Sequence, residues 1–312
     1  MDDPPLIDET DPDEVFALLA DDTRVAILQA LWETEGEGAT FSELREAVGM
    51  RDSGQFNYHL AQLVGHFVEK IDDCYRLQPA GKNVVTAIYS GVVTENPPRE
   101  RERIDEPCPY CEESIYVELR PEGIAKYCPE CPGFYGKTSS MDHDESTEAF
   151  GFLGLLHLPP AGLQDRTPEQ VYRAAQIWNN LTFMTLAHDI CAWCSASLNH
   201  SVEVCEDHDA SDGLCPACNQ HLPIWLHSNC TNCIREIQTT VGARFFGRSE
   251  MLSFILDQGV NPISSTASER PPFDHEVVST DPFEGRFIYE GDEESLIITV
   301  DENLDAVNVV RE

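Results

Sequence analysis

The sequence is poor in basic residues. Its 20 lysines and arginines stand against 56 aspartates and glutamates, which gives a formal net charge of -36. The acidic residues are spread along the chain and do not form a tail. Such a surface keeps a protein soluble in molar salt, where the Debye length is about 3 Å or less and self-repulsion is screened. We therefore expect a protein from a halophile that accumulates salt in its cytoplasm.

Long apolar runs are also missing. The most apolar stretch, residues 149–158, is too short to span a bilayer and is followed by Pro159 and Pro160. The chain begins MDDPPLIDETDPDE, which contains no basic-then-apolar signal segment. We therefore expect a cytoplasmic protein with no membrane partner. A hydrophobic content of 41% over 312 residues suffices for two or three folded domains.

Cysteine, in contrast, is abundant. A cytoplasmic protein with 12 cysteines is expected to bind metal and not to form disulfides. The first cluster has the spacing C-x2-C-x16-C-x2-C, which predicts a zinc ribbon in which two C-x2-C turns present four thiolates to one ion. Its ligands are Cys108, Cys111, Cys128 and Cys131.

The second cluster offers eight ligands, enough for two zinc ions. Sequential pairing is the preferred prediction: one ion is held by Cys191, Cys194, Cys205 and His208, the other by Cys215, Cys218, Cys230 and Cys233. The alternative is cross-braced pairing, in which alternate knuckles share an ion as in RING-like domains. All three sites would have four protein ligands, so the zinc ions are predicted to be structural, and no enzymatic activity is expected.

The segment from Thr40 to Lys82 has the order helix, turn, helix, hairpin. Glu43 stands in capping-box register with Thr40, Gly49 marks the turn, and Asp52 or Ser53 caps the next helix. Between positions 38 and 82 there are five basic and six acidic residues, so this part of a strongly acidic chain is almost neutral. An anion-facing surface needs such a local balance.

The stretch FALLADDTRVAILQALWE precedes this segment, and the whole of residues 11–90 resembles the ArsR-type winged-helix regulators. The resemblance implies a winged helix-turn-helix that binds double-stranded DNA, with flanking helices that form a homodimer. Metal-sensing members carry paired cysteines in the helix before the recognition helix. The corresponding helix here, SELREAVG, has no cysteine, so metal sensing at that place is not expected.

In the predicted recognition helix, Phe56, Leu60 and Leu63 share one apolar face. The polar residues left for the outer face could read base edges, because asparagine and glutamine amides pair with adenine, whereas basic residues would hold phosphates. The predicted DNA-binding residues are Arg51, Ser53, Gln55, Asn57, Tyr58, His59, Gln62, Lys70 and Arg76.

We predict an α+β protein with six segments. These are a disordered lead (1–10), a winged helix (11–90), a linker (91–107), a zinc ribbon (108–137), a helical double-zinc module (148–260) and an antiparallel β-meander (273–312). The expected function is sequence-specific transcription regulation by a dimer whose C-terminal module contacts a protein or an effector. A general factor similar to archaeal transcription factor E, and a RING-like interaction adaptor, are the alternatives.

Overall fold

The computed structural model of the chain describes residues 11–95, 100–120, 123–134, 150–211, 213–264, 266 and 268–312. The predicted lead over residues 1–10 and the end of the predicted zinc ribbon, residues 135–137, lie outside this part. The chain divides into two compact units, residues 1–95 and 96–312. Within the described residues, no helix combines the length and the apolar character needed to cross a lipid bilayer.

Five helices form most of the first unit: α1 (Pro12–Leu19), α2 (Asp22–Trp32), α3 (Phe41–Ala47), α4 (Ser53–Leu63) and α5 (Pro79–Tyr89). Side chains cap the N-termini of four of them, including Asp21 at α2, whose carboxylate accepts from the amides of Thr23 and Arg24. The Asp11 carboxylate accepts from the Asp13 amide, and Asp52 accepts from the amides of Gly54 and Gln55. Thr40 and Glu43 form the expected capping box at α3. These bonds satisfy amides that a helix leaves unpaired at its first turn.

A small antiparallel sheet completes the first unit. It contains β1 (Ala39–Thr40), β2 (Val68–Ile71) and β3 (Cys74–Leu77) in the order β1-β3-β2. The two-residue turn between β2 and β3 has Asp72 at φ 53°, a conformation that aspartate tolerates better than most residues. Phe56, Leu60 and Leu63 are buried with Ile27 and Leu28 of α2, as the apolar spacing predicts.

The second unit begins with a four-stranded antiparallel sheet of β4 (Arg101–Pro107), β5 (Ser114–Arg120), β6 (Gly123–Tyr127) and β7 (Phe152–His157), in that order. The predicted linker over residues 91–107 is therefore wrong at its C-terminal end, because β4 occupies residues 101–107. Its alternating charges are cross-strand partners: Arg101 binds Glu118 of β5 at 2.8 Å. Ile104, in the middle of β4, turns into the core and is 2% exposed.

A long helix covers this sheet. α6 (Pro168–Leu186) begins at a capping box of Thr167 and Gln170, and its residues Val171 and Ala175 are buried in one core with Ile124 and Leu156. Two further strands, β8 (Leu198–Val204) and β9 (Ile224–Cys230), form a long antiparallel hairpin, and β10 (Glu236–Thr239) pairs with β9.

The chain ends in α7 (Ser249–Asp257) and a second four-stranded sheet. Its strands β11 (Phe273–Thr280), β12 (Phe283–Glu290), β13 (Ser295–Val300) and β14 (Ala306–Arg311) follow one another in space as in sequence, so the predicted antiparallel meander is confirmed. Phe254, Phe287 and Leu296 meet in the core between this sheet and α7. The α+β class with antiparallel sheets is likewise confirmed.

Candidate metal centres and nucleic-acid interface

Three groups of four side chains in the second unit could each hold a metal ion. Within each group the ligand atoms all lie within 4.8 Å of one another. Centre 1 consists of Cys108, Cys111, Cys128 and Cys131; centre 2 of Cys191, Cys194, Cys230 and Cys233; centre 3 of Cys205, His208, Cys215 and Cys218. All twelve predicted ligands belong to these groups, but the eight ligands of the second cluster are not divided between two centres as predicted.

Centre 1 has the predicted composition. Cys108 and Cys111 lie between β4 and β5, and Cys128 and Cys131 follow β6, so the β5–β6 hairpin brings the two knuckles together. The Sγ atoms of Cys108 and Cys131 are 3.6 Å apart, and those of Cys111 and Cys128 are 3.4 Å apart. Tetrahedral zinc with Zn–S bonds of about 2.3 Å would separate its sulfurs by about 3.8 Å. The donor set thus fits such an ion.

The eight ligands of the other two centres are nested along the β8–β9 hairpin. Leu198 pairs with Cys230 at its base, and the amide of Cys205 donates to the carbonyl of Pro223 at its tip, 2.8 Å away. The outer knuckles of the cluster therefore meet at the base, and the inner knuckles meet at the tip. The predicted sequential pairing is wrong. Two seven-residue strands separate the centres by about 20 Å.

One cysteine in each centre has a lowered thiol pKa, which favours its thiolate form. Backbone amides of Cys233 and Asn232 donate to Cys230 and lower its thiol pKa to about 6. The amide of Asp209 does the same for Cys215, whose pKa also falls to about 6. Burial opposes a low pKa at Cys128, but amides of the same kind outweigh it there. Because the thiolate is the form of cysteine that binds metal, these hydrogen bonds from backbone amides favour metal binding.

A second sulfur in each centre has the opposite tendency. Burial raises the pKa of Cys131 and raises that of Cys218 to about 12, and burial together with the neighbouring sulfurs raises the pKa of Cys233 to about 12. Adjacent thiolates repel one another in the absence of a cation. Ionisation of every cysteine in a centre therefore requires a cation at that centre, as a bound metal ion would supply.

The imidazole of His208 has a defined orientation in centre 3. Its Nδ1 lies 3.4 Å from the Sγ of Cys218, and its Nε2 lies 3.1 Å from the carbonyl oxygen of His221. Because Nε2 must carry the proton to donate to a carbonyl, Nδ1 is left as the metal-facing nitrogen. The spacing of the ligands did not indicate this role for His221.

A hydrogen-bond chain that runs from the surface to a buried serine lies beside centre 2. His200 Nδ1 is 2.8 Å from the Ser228 hydroxyl, and its Nε2 is 2.9 Å from the Asp189 carboxylate, which Arg244 also contacts. Burial and the Arg244 charge lower the pKa of His200. Ser228 is fully buried, so its hydroxyl is shielded from any substrate and the chain satisfies internal polar groups.

In the first unit, most of the predicted DNA-binding residues lie on the surface. Tyr58 is 61% exposed. The other exposed members are Arg51, Ser53, Gln55, Asn57, Gln62, Lys70 and Arg76. Asp52 is the one acidic residue at this helix, and its carboxylate accepts the first amides of α4, which lowers its pKa.

His59 departs from the prediction. It is 7% exposed, and its Nδ1 lies 3.3 Å from the carboxylate of Asp21, the N-cap residue of α2. Position 59 belongs to the buried stripe of α4 because it follows Phe56 by three residues and precedes Leu63 by four. The prediction of an outward-facing His59 is therefore wrong, and His59 is removed from the set of candidate DNA-binding residues.

The hairpin beside α4 adds cationic groups. A groove of about 250 Å³ lies between α4 and the hairpin, lined in part by Asn57, Lys70 and Tyr75. The Lys70 ammonium lies 5.3 Å from the centre of the Tyr75 ring. Arg76 is exposed, but its Nε donates to the carbonyl of Glu37 at 3.1 Å, which holds the guanidinium against the loop before β1.

Two family models match the chain. Residues 12–88 match the domain of unknown function DUF7347, and residues 105–306 match the domain of unknown function DUF7351. No curated protein and no solved structure matches the chain. Because the second match spans more than half of the residues, the chain belongs to the DUF7351 family.

Proposed function

We propose that this DUF7351-family chain is a sequence-specific DNA-binding transcription regulator that acts as a dimer. Its first unit would bind double-stranded DNA, and its second unit, held together by three structural zinc ions, would contact a protein or an effector. The observation that carries the proposal is the arrangement of α3, α4 and the β2–β3 hairpin, together with an exposed face of α4 that is polar and free of acidic side chains.

The order and pairing of these elements support a winged helix-turn-helix. α3 and α4 are joined by a short turn in which Gly49 has φ 71°, and the antiparallel β1-β3-β2 sheet follows the second helix. In proteins of this architecture the second helix of the motif enters the major groove of DNA. Here that helix is α4, because its buried stripe faces α2 and its opposite face is exposed.

The exposed side chains suit base reading. Gln55 and Asn57 can each offer an amide that pairs with adenine, and Arg51 and Lys70 stand beside α4 as candidates for phosphate contacts. In molar salt counterion release contributes little, so direct and water-mediated hydrogen bonds would supply more of the affinity. The near-neutral charge of residues 38–82 suits an affinity that depends on such hydrogen bonds more than on the attraction between opposite charges.

Dimerisation is supported by apolar side chains left exposed on the flanking helices. Phe16 of α1 is 70% exposed, and Trp32 and Tyr89, whose ring centres lie 6.1 Å apart, are 39% and 44% exposed. Val92 and Val93 follow α5 and are also exposed. In the ArsR-type regulators that the first unit resembles, these helices form the dimer interface.

The three metal centres suit a structural role. Each has four protein ligands and therefore no open position for a substrate, and we assign the chain no enzymatic activity. The acidic composition favours a location in a salt-rich cytoplasm. The ligand sets are nested and not cross-braced, which removes the observation on which the RING-like alternative depended.

A selection experiment tests the proposal. Genomic fragments are bound in molar KCl by the full-length, zinc-loaded protein and sequenced, with Gln55→Ala and Asn57→Ala beside the wild type. We expect a recovered palindromic site and a loss of affinity of about 5- to 150-fold per variant, because a bidentate amide–base pair discriminates by about 1–3 kcal/mol. Asn308→Ala, on the exposed surface of β14 in the second unit, is the matched control and should bind as the wild type does.

The absence of any enriched sequence would refute base reading by α4. In that case binding to RNA polymerase would favour the general-factor alternative. If a site is enriched and both amide variants bind it normally, another surface must read it.

A further inference from the structure

We propose that centres 1 and 3 bind zinc as a coupled pair through His221, whereas centre 2 binds its zinc independently. His221 is a positioning residue, since it supplies no ligand atom to any of the three centres. The inference rests on the proposed zinc occupancy of the centres and does not depend on DNA binding.

His221 contacts residues of both C-x2-C knuckles of centre 1. Its ring stacks on that of Tyr110, with centres 4.3 Å apart and planes inclined by 16°. Tyr110 lies between the ligands Cys108 and Cys111. The imidazole also hydrogen-bonds to the backbone of Gly133, two residues after the ligand Cys131.

His221 also orients a ligand of centre 3. Its carbonyl oxygen receives the proton of His208 Nε2 at 3.1 Å, which leaves Nδ1 of His208 for the metal. Partners of this kind fix the tautomer and the ring orientation of a metal-bound histidine, and their removal typically weakens metal binding about 10- to 100-fold. The position of one backbone carbonyl therefore links the two centres.

A second aromatic contact supports the same link. Phe134, which follows the second knuckle of centre 1, packs edge-on against Trp225 at the start of β9, with ring centres 4.9 Å apart. Phe134 also stacks near Tyr110, at 6.0 Å. The rings of Trp225, Phe134, Tyr110 and His221 thus connect the ribbon around centre 1 to the hairpin tip that carries centre 3.

Centre 2 lies at the base of the same hairpin, about 20 Å from the tip. Its knuckle C-A-W-C places Trp193 where the knuckle C-P-Y-C of centre 1 places Tyr110. Trp193 packs on Arg235, 5.0 Å from its ring centre, and on His157. Trp193 is therefore a matched control for Tyr110: the same knuckle position, with an aromatic ring directed at other partners.

The coupling determines how metal is lost. When centre 1 empties, its knuckles lose their shape, Tyr110 and Gly133 no longer hold the His221 loop, and His208 loses its acceptor. Zinc at centre 3 then binds more weakly although all four of its ligands remain. Under rising chelator concentration, centres 1 and 3 empty together, and centre 2 empties by itself.

Cobalt substitution of the full-length protein tests this inference. Centre 3 alone has an imidazole ligand, so its Co²⁺ absorption differs from that of the two four-cysteine centres, and chelator competition read at that band reports its affinity. Aromatic pairs contribute about 0.5–1.5 kcal/mol, so we expect Tyr110→Ala to lower the affinity of centre 3 by about 2- to 12-fold. Tyr110→Phe, which keeps the ring, should bind as the wild type does, and so should Trp193→Ala.

A ligand variant gives a second test that does not depend on the stacked pair. Cys111→Ser disables centre 1 and should weaken centre 3, whereas Cys194→Ser disables centre 2 and should leave centre 3 unchanged. Unaltered centre 3 affinity in both Tyr110→Ala and Cys111→Ser would overturn the proposal, as would an equal loss in Trp193→Ala. A wild-type protein that binds fewer than three ions would instead refute the zinc assignment itself.

Discussion

The nesting of centres 2 and 3 makes a prediction that metal counting can decide. Two variants each remove two knuckles of the second cluster. The outer–outer variant replaces the ligands at both ends of the cluster, and the outer–inner variant replaces the first two knuckles. The outer–outer variant carries Cys191→Ser, Cys194→Ser, Cys230→Ser and Cys233→Ser. The outer–inner variant carries Cys191→Ser, Cys194→Ser, Cys205→Ser and His208→Asn.

The expected counts follow from the ligand sets. The outer–outer variant loses all of centre 2 and nothing else, so it should retain two zinc ions. The outer–inner variant leaves only two ligands at centre 2 and two at centre 3, so it should retain one. A structural zinc ion contributes an apparent 10–16 kcal/mol or so at neutral pH, and two ligands cannot hold it. Sequential pairing reverses the two counts, and cross-braced pairing gives one ion in both variants.

Native mass spectrometry after dialysis against micromolar zinc measures these numbers directly. Cys74→Ser is the control: Cys74 lies in β3 of the first unit, outside all three centres, and its variant should keep three ions. Two ions in the outer–inner variant and one in the outer–outer variant would refute the nested arrangement.

Two further predictions concern the turn between β2 and β3 and the partly buried His200. Replacing Asp72 and Asp73 with asparagine removes two exposed carboxylates from the turn. DNA affinity, measured by fluorescence anisotropy, should rise roughly 3-fold per charge at the lowest salt concentration that keeps the protein folded. This gain in affinity should vanish in molar KCl, where the charges are screened. Equal affinities at low salt would place the turn far from phosphate. Burial and Arg244 lower the pKa of His200 below 6.5, so its contribution to stability is complete above that pH and is lost as pH falls through the folded-state pKa. The free energy of unfolding should therefore fall by more in the wild type than in His200→Gln between about pH 7.5 and 5.5. At neutral pH the variant should be less stable by about 1–3 kcal/mol, because Ser228 loses a hydrogen-bond partner. Parallel pH dependences of the two proteins would contradict this prediction.

Features that depend on local chemistry could be read from the sequence. The helix starts at Asp11, Thr40 and Asp52 were predictable because a cap is a bond between a side chain and amides two or three residues away. Each C-x2-C knuckle is equally local. The meander was predictable because its alternation of apolar and polar residues matches a sheet with one buried face.

Features that depend on distant partners could not be read in the same way. The alternating charges of residues 101–103 suit a solvated linker as well as an edge strand, and the choice depends on Glu113 and Glu118 across the sheet. His59 shows a different failure. Its helical position indicates burial, and the carboxylate nearest its ring, that of Asp21, lies 38 residues earlier in the chain, where no local pattern connects the two.

The pairing of the metal ligands is the strongest case of a non-local choice. The segments 195–204 and 219–229 are almost equal in length. The first ends in a run that alternates between the two faces of a strand, and the second contains the apolar run Ile224, Trp225 and Leu226. Reading each segment as its own short hairpin gives sequential pairs, whereas pairing the two with each other gives one long hairpin with a centre at each end. The second solution forms more strand–strand hydrogen bonds for the same ligands, because seven residue pairs from Leu198↔Cys230 to Val204↔Ile224 share one ladder. A two-stranded hairpin is marginal by itself. A metal ion at each end would close it, so that the ladder and the ions would stabilise each other.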